Sequence, residues 1–196
     1  MRIVAGDWRG RRLTSPPGRE TRPTTDRVRE SLFNILAHAP WAQQVAGLLT
    51  SGDALVLDAF AGSGALGFEA LSRGAERAWF WDRSAACITT IRDNARHLNA
   101  GDRVIAQRID ATKPPTAPRP VDLVFLDPPY DAGLLEKTFH KLTSSQLFAP
   151  DSCILCEHHT QTAHPMAPNG WSLQQTRSYG DVTVSFYLPN ENEEAP

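Results

Sequence analysis

Residues 54–74 constrain the fold of this 196-residue chain more than any other stretch. The short apolar run at 54–57 is typical of a buried parallel strand. A glycine-containing loop follows at 58–64, and apolar residues then recur at helical spacing until Gly74. The sequence therefore predicts a strand, a sharp loop and a helix. Glycine lets such a loop turn tightly and approach a ligand, and the first amides of the helix favour an anionic group.

The loop reads Gly62-x-Gly64-x-x-Gly67, which by itself also fits a dinucleotide-binding turn. Asp82 even lies at about the right distance along the chain for a ribose-binding acid. Asp58 argues against a nicotinamide cofactor, because a carboxylate just before the loop would repel a pyrophosphate. It favours a ligand that carries an ammonium and a sulfonium, and S-adenosylmethionine carries both.

A second buried strand, at 121–126, ends in Asp127-Pro128-Pro129-Tyr130. In a doubly wound sheet, ligands bind at the carboxyl ends of the strands. The two prolines fix the backbone and remove two N–H donors, so the groups left at this strand end are acceptors. Tyr130 adds a flat aromatic face. Acceptors beside a stacking face suit a planar ring with an amino group, whereas the structural alternative is a rigid turn with no binding role.

This four-residue motif resembles the signature of amino-group methyltransferases that use S-adenosylmethionine. The resemblance extends to the stretches at residues 2–6, 8–11, 22–30, 58–70, 71–75 and 179–181. Together these stretches resemble the bacterial small-subunit (16S) ribosomal RNA guanine-N2 methyltransferases of the RsmD family. The block at 22–33 is the most specific part, since many amino methyltransferases share the Asp127 motif.

The resemblance implies a single α/β domain with the Rossmann-like fold of class I S-adenosylmethionine-dependent methyltransferases. Its seven-stranded sheet would be mostly parallel, with an antiparallel hairpin at the end of the chain. The alternation of strands and helices independently indicates an α/β protein. We expect a basic N-terminal arm with a short hairpin at residues 1–23, a methyltransferase domain at 24–189 and a disordered acidic tail at 190–196.

The same resemblance implies the residues of the site. Those expected to hold S-adenosylmethionine are Thr24, Asp58, Ala59, Phe60, Ala61, Gly62, Ser63, Gly64, Asp82, Arg83, Asp110, Ala111 and Asp127. Asp82 would accept from the ribose hydroxyls and Asp110 from the adenine amino group, although a simple turn role for Asp110 stays open. Relatives usually carry a glutamate two places before Asp82, where this chain has Phe80. The catalytic group would be Asp127, Pro128, Pro129 and Tyr130.

Positive charge is concentrated at the start of the chain. Residues 1–30 hold eight arginines and four acidic residues, a local charge of +4 in a chain whose net charge is −2. A basic arm on an acidic body points to a polyanion, and arginine favours RNA because it both pairs with phosphate and stacks on bases. A solvated terminus is the simpler alternative. The arginines predicted to bind RNA are Arg9, Arg11, Arg12, Arg22 and Arg27.

Composition bears on the expected location of the protein and on whether it contains disulfides or a metal site. No apolar run approaches membrane-spanning length, and no secretory segment begins the chain, so we expect a cytoplasmic protein with no membrane partner. The three cysteines do not suggest a disulfide framework. Cys153 and Cys156 precede two histidines, but residues three apart on a strand face opposite sides, so we expect no metal site.

The sequence thus predicts a monomeric enzyme that transfers a methyl group to a guanine 2-amino group in small-subunit ribosomal RNA. Its substrate would be naked RNA or an assembled 30S particle. Two other functions stay open: a DNA methyltransferase acting on adenine or cytosine amines, and an RNA-binding module without activity. The basic arm and the lack of a target-recognition domain within these residues weigh against the first, and the complete Asp127 motif weighs against the second.

Overall fold

The computed structural model describes residues 1–17, 25–115, 119–129, 133–145 and 147–190. Several sequence predictions fall outside these ranges. They are the roles of Arg22, Thr24 and Tyr130, the boundary between the arm and the domain at residue 23, and the acidic tail beyond Asn190.

Helices and strands alternate along most of the chain. The helices are α1 (Asp26–His38), α2 (Gln43–Ser51), α3 (Ala65–Ser72), α4 (Ala85–Leu98) and α5 (Leu134–Thr143). The strands are β1 (Leu55–Asp58), β2 (Arg77–Asp82), β3 (Val104–Arg108), β4 (Val121–Leu126), β5 (Phe148–His159), β6 (Trp171–Tyr179) and β7 (Val182–Pro189). Short 3₁₀ turns precede α2 and β3.

The strands form one seven-stranded sheet in the order β3-β2-β1-β4-β5-β7-β6. The first five strands of that order pair in parallel, and β7 runs antiparallel to both β5 and β6. This topology confirms the predicted mostly parallel sheet with a terminal hairpin. The strand order reverses direction between β1 and β4, which is where ligands bind in open α/β sheets.

Two apolar layers cover the sheet, and alternate residues of the central strands enter different layers. Val56 and Phe125 pack into the layer shared with α1, α2, α3 and α4. Leu57 and Val124 pack into the layer shared with α5. Because β1 is buried on both faces, it reads in the sequence as a continuous apolar run.

Several boundaries differ from expectation for local reasons. Helix α2 was not predicted, since it has a single turn of apolar residues and no side-chain cap at Ala42. Helix α4 ends at Leu98 and is capped by Asn99, which adopts a left-handed conformation with φ 55° that is usually taken by glycine. At the start of α1, Thr25 is the cap, and its hydroxyl accepts from the amide of Val28 at 3.3 Å.

The N-terminal segment, residues 1–17, packs on the domain. Its two halves meet through one antiparallel bridge between Arg2 and Arg12, and the amide of Ile3 donates to the carbonyl of Arg11 at 2.9 Å. Ile3, Trp8 and Leu13 are buried in the same apolar layer as α3. The short hairpin expected from the sequence is therefore a turn held by tertiary packing, with a single bridge.

Within the described ranges, no helix combines the length and apolar character that crossing a bilayer requires.

Candidate active site

The glycine loop continues the sheet beyond β1 before it turns into α3. The amide of Ala59 donates to the carbonyl of Phe125 at 3.0 Å, and the amide of Ala61 donates to the carbonyl of Trp81 at 2.9 Å. These bonds join the loop to β4 on one side and to β2 on the other. Gly62 and Gly64 then take positive φ values of 54° and 83°, which reverses the chain into the helix.

Gly64 and Gly67 leave space for two aromatic rings to pack beneath the loop. A Cβ atom on Gly67 would lie 2.4 Å from Cε1 of Phe80, and one on Gly64 would lie 2.7 Å from Cε2 of Phe68. Phe80 is fully buried and its ring lies 4.8 Å from that of Phe68. In this chain Phe80 therefore supports α3 from below, which is a different task from the ribose contact expected of the family's glutamate.

Asp58 lies under the loop at the end of β1. It is buried, and its Oδ2 accepts from the amide of Gly67 at 3.1 Å. Burial raises the pKa of Asp58 to about 7; the Gly67 hydrogen bond opposes the rise and the nearby Asp82 carboxylate adds to it. This carboxyl group is therefore poised to change its charge near neutral pH when a cation approaches.

Asp82, at the end of β2, organises the backbone around it. Its Oδ2 accepts from the amide of Gly62 at 3.0 Å, and its Oδ1 accepts from the amide of Ser84 at 2.8 Å. One side chain thus joins the glycine loop to the start of α4. Because each carboxylate oxygen can accept more than one hydrogen bond, these contacts leave acceptor capacity for a ligand.

Asp110 follows β3 and is exposed, with Oδ1 accepting from both the amide and the hydroxyl of Thr112 at 2.9 and 2.7 Å. These hydrogen bonds hold the pKa of Asp110 below its ordinary value. The side chain stays ionised and keeps a fixed direction. Both the predicted acceptor role and the simpler turn role are compatible with this geometry.

One cleft brings six of the thirteen predicted cofactor residues together. It lies over the carboxyl ends of β1, β2 and β3, and its lining is Ala59, Phe60, Asp82, Arg83, Ile109, Asp110, Ala111, Pro129 and Leu134. Ile109 and Leu134 were not singled out in the sequence, although both are apolar residues beside predicted site positions. The lining of the cleft does not include Asp58, Ala61, Gly62, Ser63 or Gly64 of the loop, nor Asp127 after β4.

Asp127 and Pro128 extend β4 at the same edge of the sheet. Asp127 is partly exposed, Pro128 is buried and Pro129 reaches the cleft. The fixed backbone of the two prolines thus carries the chain from the partly exposed Asp127 into the wall of the cleft. The predicted catalytic motif therefore lies next to the predicted cofactor residues Asp82 and Asp110.

Asn94 was missed in the sequence, where it reads as an ordinary residue of α4. It is buried, and its side-chain amide donates to the carbonyls of Ser63 and Thr14, both at 3.0 Å. Its Oδ1 accepts from the amide of Thr14 at 2.9 Å. Met1 also contacts the loop, since its sulfur accepts from the hydroxyl of Ser63 at 3.2 Å. The N-terminal segment thus supports the glycine loop.

The predicted RNA-binding arginines differ in their surroundings. Arg9, Arg12 and Arg27 are exposed. Arg11 is instead held at the end of α4, where its guanidinium donates to the carbonyls of His97 and Leu98. Arg29, outside the predicted set, is buried and donates to the carbonyl of Arg2 and to Asp26, both at 2.7 Å.

A protein-family model described as "Conserved hypothetical protein 95" matches residues 1–188. Among curated proteins, the chain is similar to ribosomal RNA small subunit methyltransferase D of Escherichia coli. The two are 37% identical over 187 residues, which is 95% of this chain and 89% of that protein.

The chain is also similar to methyltransferases of known structure. The structure of yhhF from Escherichia coli is 38% identical, with a TM-score of 0.80, and the match covers 96% of this chain and 97% of that one. Magnesium protoporphyrin IX methyltransferase from Synechocystis, solved with S-adenosylmethionine bound, is 18% identical with a TM-score of 0.61, covering 83% of this chain and 79% of that one. At 18% identity this second similarity concerns the fold alone, which is the class I methyltransferase architecture.

Proposed function

This chain belongs to the family of conserved hypothetical protein 95, and we propose that it methylates the 2-amino group of a guanine in small-subunit ribosomal RNA. The methyl donor is S-adenosylmethionine. One observation carries the proposal: Pro129 of the acceptor motif lines the same cleft as Asp82 and Asp110. The name of the Escherichia coli relative supports ribosomal RNA as the substrate.

The cleft fits the donor by its chemistry. Asp82 and Asp110 supply acceptors for hydroxyl and amino groups, and Ala59 and Ala111 leave room for a flat ring. Asp58 supplies a buried carboxyl group below the loop that could face an ammonium. When bound, S-adenosylmethionine supplies an electrophilic methyl group on a positively charged sulfur.

The chain's own part in the reaction is positioning. A guanine 2-amine is a poor nucleophile because its lone pair is delocalised into the ring. Asp127 and the carbonyls near Pro128 would accept its two hydrogens and favour a pyramidal nitrogen. A carboxylate is too weak a base to deprotonate the neutral amine, so Asp127 would take the proton only as the new N–C bond forms and the S–C bond breaks.

Methyl incorporation tests the proposal. Labelled S-adenosylmethionine would be incubated separately with small-subunit RNA, with assembled small-subunit particles and with duplex DNA. We expect label in the RNA or in the particle and none in the DNA. Label in DNA would favour the DNA methyltransferase alternative. Cofactor binding with no transfer to any of the three would favour a binding module.

Replacing Asp82 with alanine is expected to weaken S-adenosylmethionine binding by about 1.5–3 kcal/mol, the scale of a charged hydrogen bond. The variant loses the ribose acceptor and also the acceptor for Gly62 and Ser84. Calorimetric titration measures the change, with the exposed Asp102 replaced by alanine as the control. Equal affinities for the two variants would mean that the ribose is held elsewhere.

S-adenosylmethionine affinity is expected to rise with pH through the pKa of Asp58, which is about 7. A ligand ammonium stabilises the ionised carboxylate, so binding releases a proton and the affinity increases by up to about tenfold per pH unit below that pKa. Asp58→Asn should flatten this dependence, because the amide does not titrate. Titrations of both proteins at about pH 6 and 7.5 measure the difference.

The ligand-free protein should show the opposite trend. The pKa of Asp58 is raised from 3.8, so the folded state binds this proton more tightly than the unfolded state does. Its contribution to stability is therefore lost as the pH rises from about 4 to 7. Identical pH profiles for wild type and Asp58→Asn, in both binding and unfolding, would contradict this assignment.

Exposed arginines of the N-terminal segment are expected to contribute to RNA affinity. Arg9 and Arg12 are exposed, whereas Arg11 is held by carbonyls of α4. Replacing the two exposed arginines with glutamine should flatten the salt dependence of RNA binding, by about 0.7 in log–log slope for each phosphate of single-stranded RNA that the variant no longer neutralises. Affinity across a salt series measures this slope.

The matched control for that experiment is Arg119→Gln. Arg119 is exposed, and it lies before β4 at the opposite edge of the sheet, where it pairs with Glu76 at 3.5 Å. Its replacement should leave the slope unchanged. An unchanged slope in the Arg9 and Arg12 double variant would assign these arginines to the solvated surface.

A further inference from the structure

A second carboxylate lies beside Asp127 on the neighbouring strand. In the parallel pairing of β4 with β5, Phe125 is opposite Leu155 and Leu126 is opposite Cys156. Asp127 follows Leu126 as Glu157 follows Cys156, so the two acids occupy corresponding positions at the ends of their strands. Side chains at corresponding positions of paired strands point to the same face of a sheet.

The two carboxylates also share a cavity. Asp127 and Glu157 line a space of about 10 Å³, whose apolar walls include Leu32 of α1 and Leu66 of α3. This volume has room for about one water molecule, so a whole base ring does not fit inside it.

Glu157 is only 7% exposed, and β7 covers its other side through Val184. An ionised carboxylate accepts hydrogen bonds and donates none, so the pair formed by Glu157 and Asp127 favours a ligand edge that presents N–H groups.

The edge of guanine presents such groups. Its 2-amino group is next to the N1–H, so two donors lie side by side. The 6-amino group of adenine and the 4-amino group of cytosine are each next to a ring nitrogen that accepts. A second carboxylate beside the amine-binding one therefore suits guanine and repels the other two bases, because an acceptor would face an acceptor.

We propose that Glu157 determines the specificity for guanine, by accepting from N1–H while Asp127 accepts from the 2-amino group. This inference rests on the proposed function and adds the group that selects the base. The DNA methyltransferase alternative would require the reverse, a donor beside the amine-binding acceptor. Glu157 does not line the cleft that contains Asp82 and Asp110, so S-adenosylmethionine affinity can be measured separately from base selection.

The test exchanges donor and acceptor on both partners. The methylated guanine is first located with the wild-type protein. RNA is then prepared by ligation with either guanine or 2,6-diaminopurine at that position; the analogue keeps the 2-amino group but has an acceptor at N1. We expect wild type to prefer guanine in kcat/KM by about 10- to 100-fold. Glu157→Gln places an amide donor there and should lose or reverse this preference.

Three controls make the result decisive. Glu157→Ala should lose activity on guanine without gaining activity on the analogue. Asp151→Asn, at an exposed position of the same strand, should keep the wild-type preference. S-adenosylmethionine affinity and the midpoint of thermal unfolding, measured for each variant, separate base selection from a general loss of structure.

The two proposals fail in different ways. If wild type transfers no methyl group to guanine, the proposed function is wrong and Glu157 has no guanine to select. If wild type methylates guanine and Glu157→Gln keeps the same preference over the analogue, only the assignment of Glu157 is wrong. In that case Asp127 alone accepts from both donors.

Discussion

Replacing Asp127 with alanine is expected to lower kcat by about 10²- to 10³-fold, the loss typical of removing one group that stabilises a transition state. Asp127 follows β4, and beside it the fixed backbone of Pro128 and Pro129 leads into the cleft. Without its carboxylate, the amine loses one of the two acceptors proposed to orient its hydrogens. The measurement is single-turnover methyl transfer at saturating S-adenosylmethionine and RNA.

Two further measurements make that result specific. S-adenosylmethionine affinity should survive in Asp127→Ala, because the acceptors proposed for the nucleoside, Asp82 and Asp110, remain in the cleft. Asp127→Asn should keep more activity than Asp127→Ala, since the amide oxygen still accepts a hydrogen bond. Normal turnover by a folded Asp127→Ala variant would remove this residue from the chemistry.

Replacing Glu69 with alanine is expected to cost about 3–5 kcal/mol of unfolding free energy, the scale of breaking a buried ion pair. Glu69 is fully buried in α3, where Oε2 accepts from the amide of Val4 at 2.8 Å and Oε1 accepts from the amide of Ala5 at 3.0 Å. Oε1 also accepts from Nε of Arg73 at 2.8 Å. Removing the carboxylate leaves two amides and a cation without this partner.

Urea denaturation measures that loss, and Glu76→Ala is its control. Glu76 is partly exposed and lies 3.5 Å from the exposed Arg119, so its replacement should cost less than about 1 kcal/mol. Faster proteolysis near residues 1–17 should accompany the Glu69 variant, since this carboxylate fixes the N-terminal segment. Equal losses from the two variants would contradict that role.

Local pattern was sufficient to predict the framework of the site. The apolar run of β1, the glycines after it and the strand before Asp127 each carry their signal within a few adjacent residues. The parallel order of the strands then brings those separate signals to one edge of the sheet. Asp82, Asp110 and Pro129, which the family resemblance implied as site residues, line one cleft at that edge.

Contacts between distant parts of the chain could not be predicted in this way. Glu69 reads as an ordinary helix residue, and its partners Val4 and Ala5 lie 65 and 64 positions away. Asn94 and its partner Thr14 are 80 positions apart. The sequence signal at such positions is one polar residue, and only the packed structure distinguishes a buried connection from a solvated side chain.

The same limit applies to Phe80 and Arg11. The departure from the family's glutamate at Phe80 was visible in the sequence, but the packing of its ring in the space left by Gly64 and Gly67 is a tertiary contact. Arg11, like Arg9 and Arg12, is an arginine of the basic N-terminal segment. Its guanidinium nevertheless donates to carbonyls at the end of α4. Charge along the chain predicts a basic segment without identifying which of its arginines remain exposed.

The identity of the methylated nucleoside shows whether the acceptors at the end of β4 present a guanine 2-amino group for methylation. Small-subunit RNA labelled by the wild-type protein would be digested to nucleosides and separated against authentic standards. We expect the label to be recovered as N2-methylguanosine and to be lost with Asp127→Ala. Label recovered in a methylated adenosine, a methylated cytidine or a ribose 2′-O-methyl group would show that the enzyme does not methylate the guanine 2-amino group.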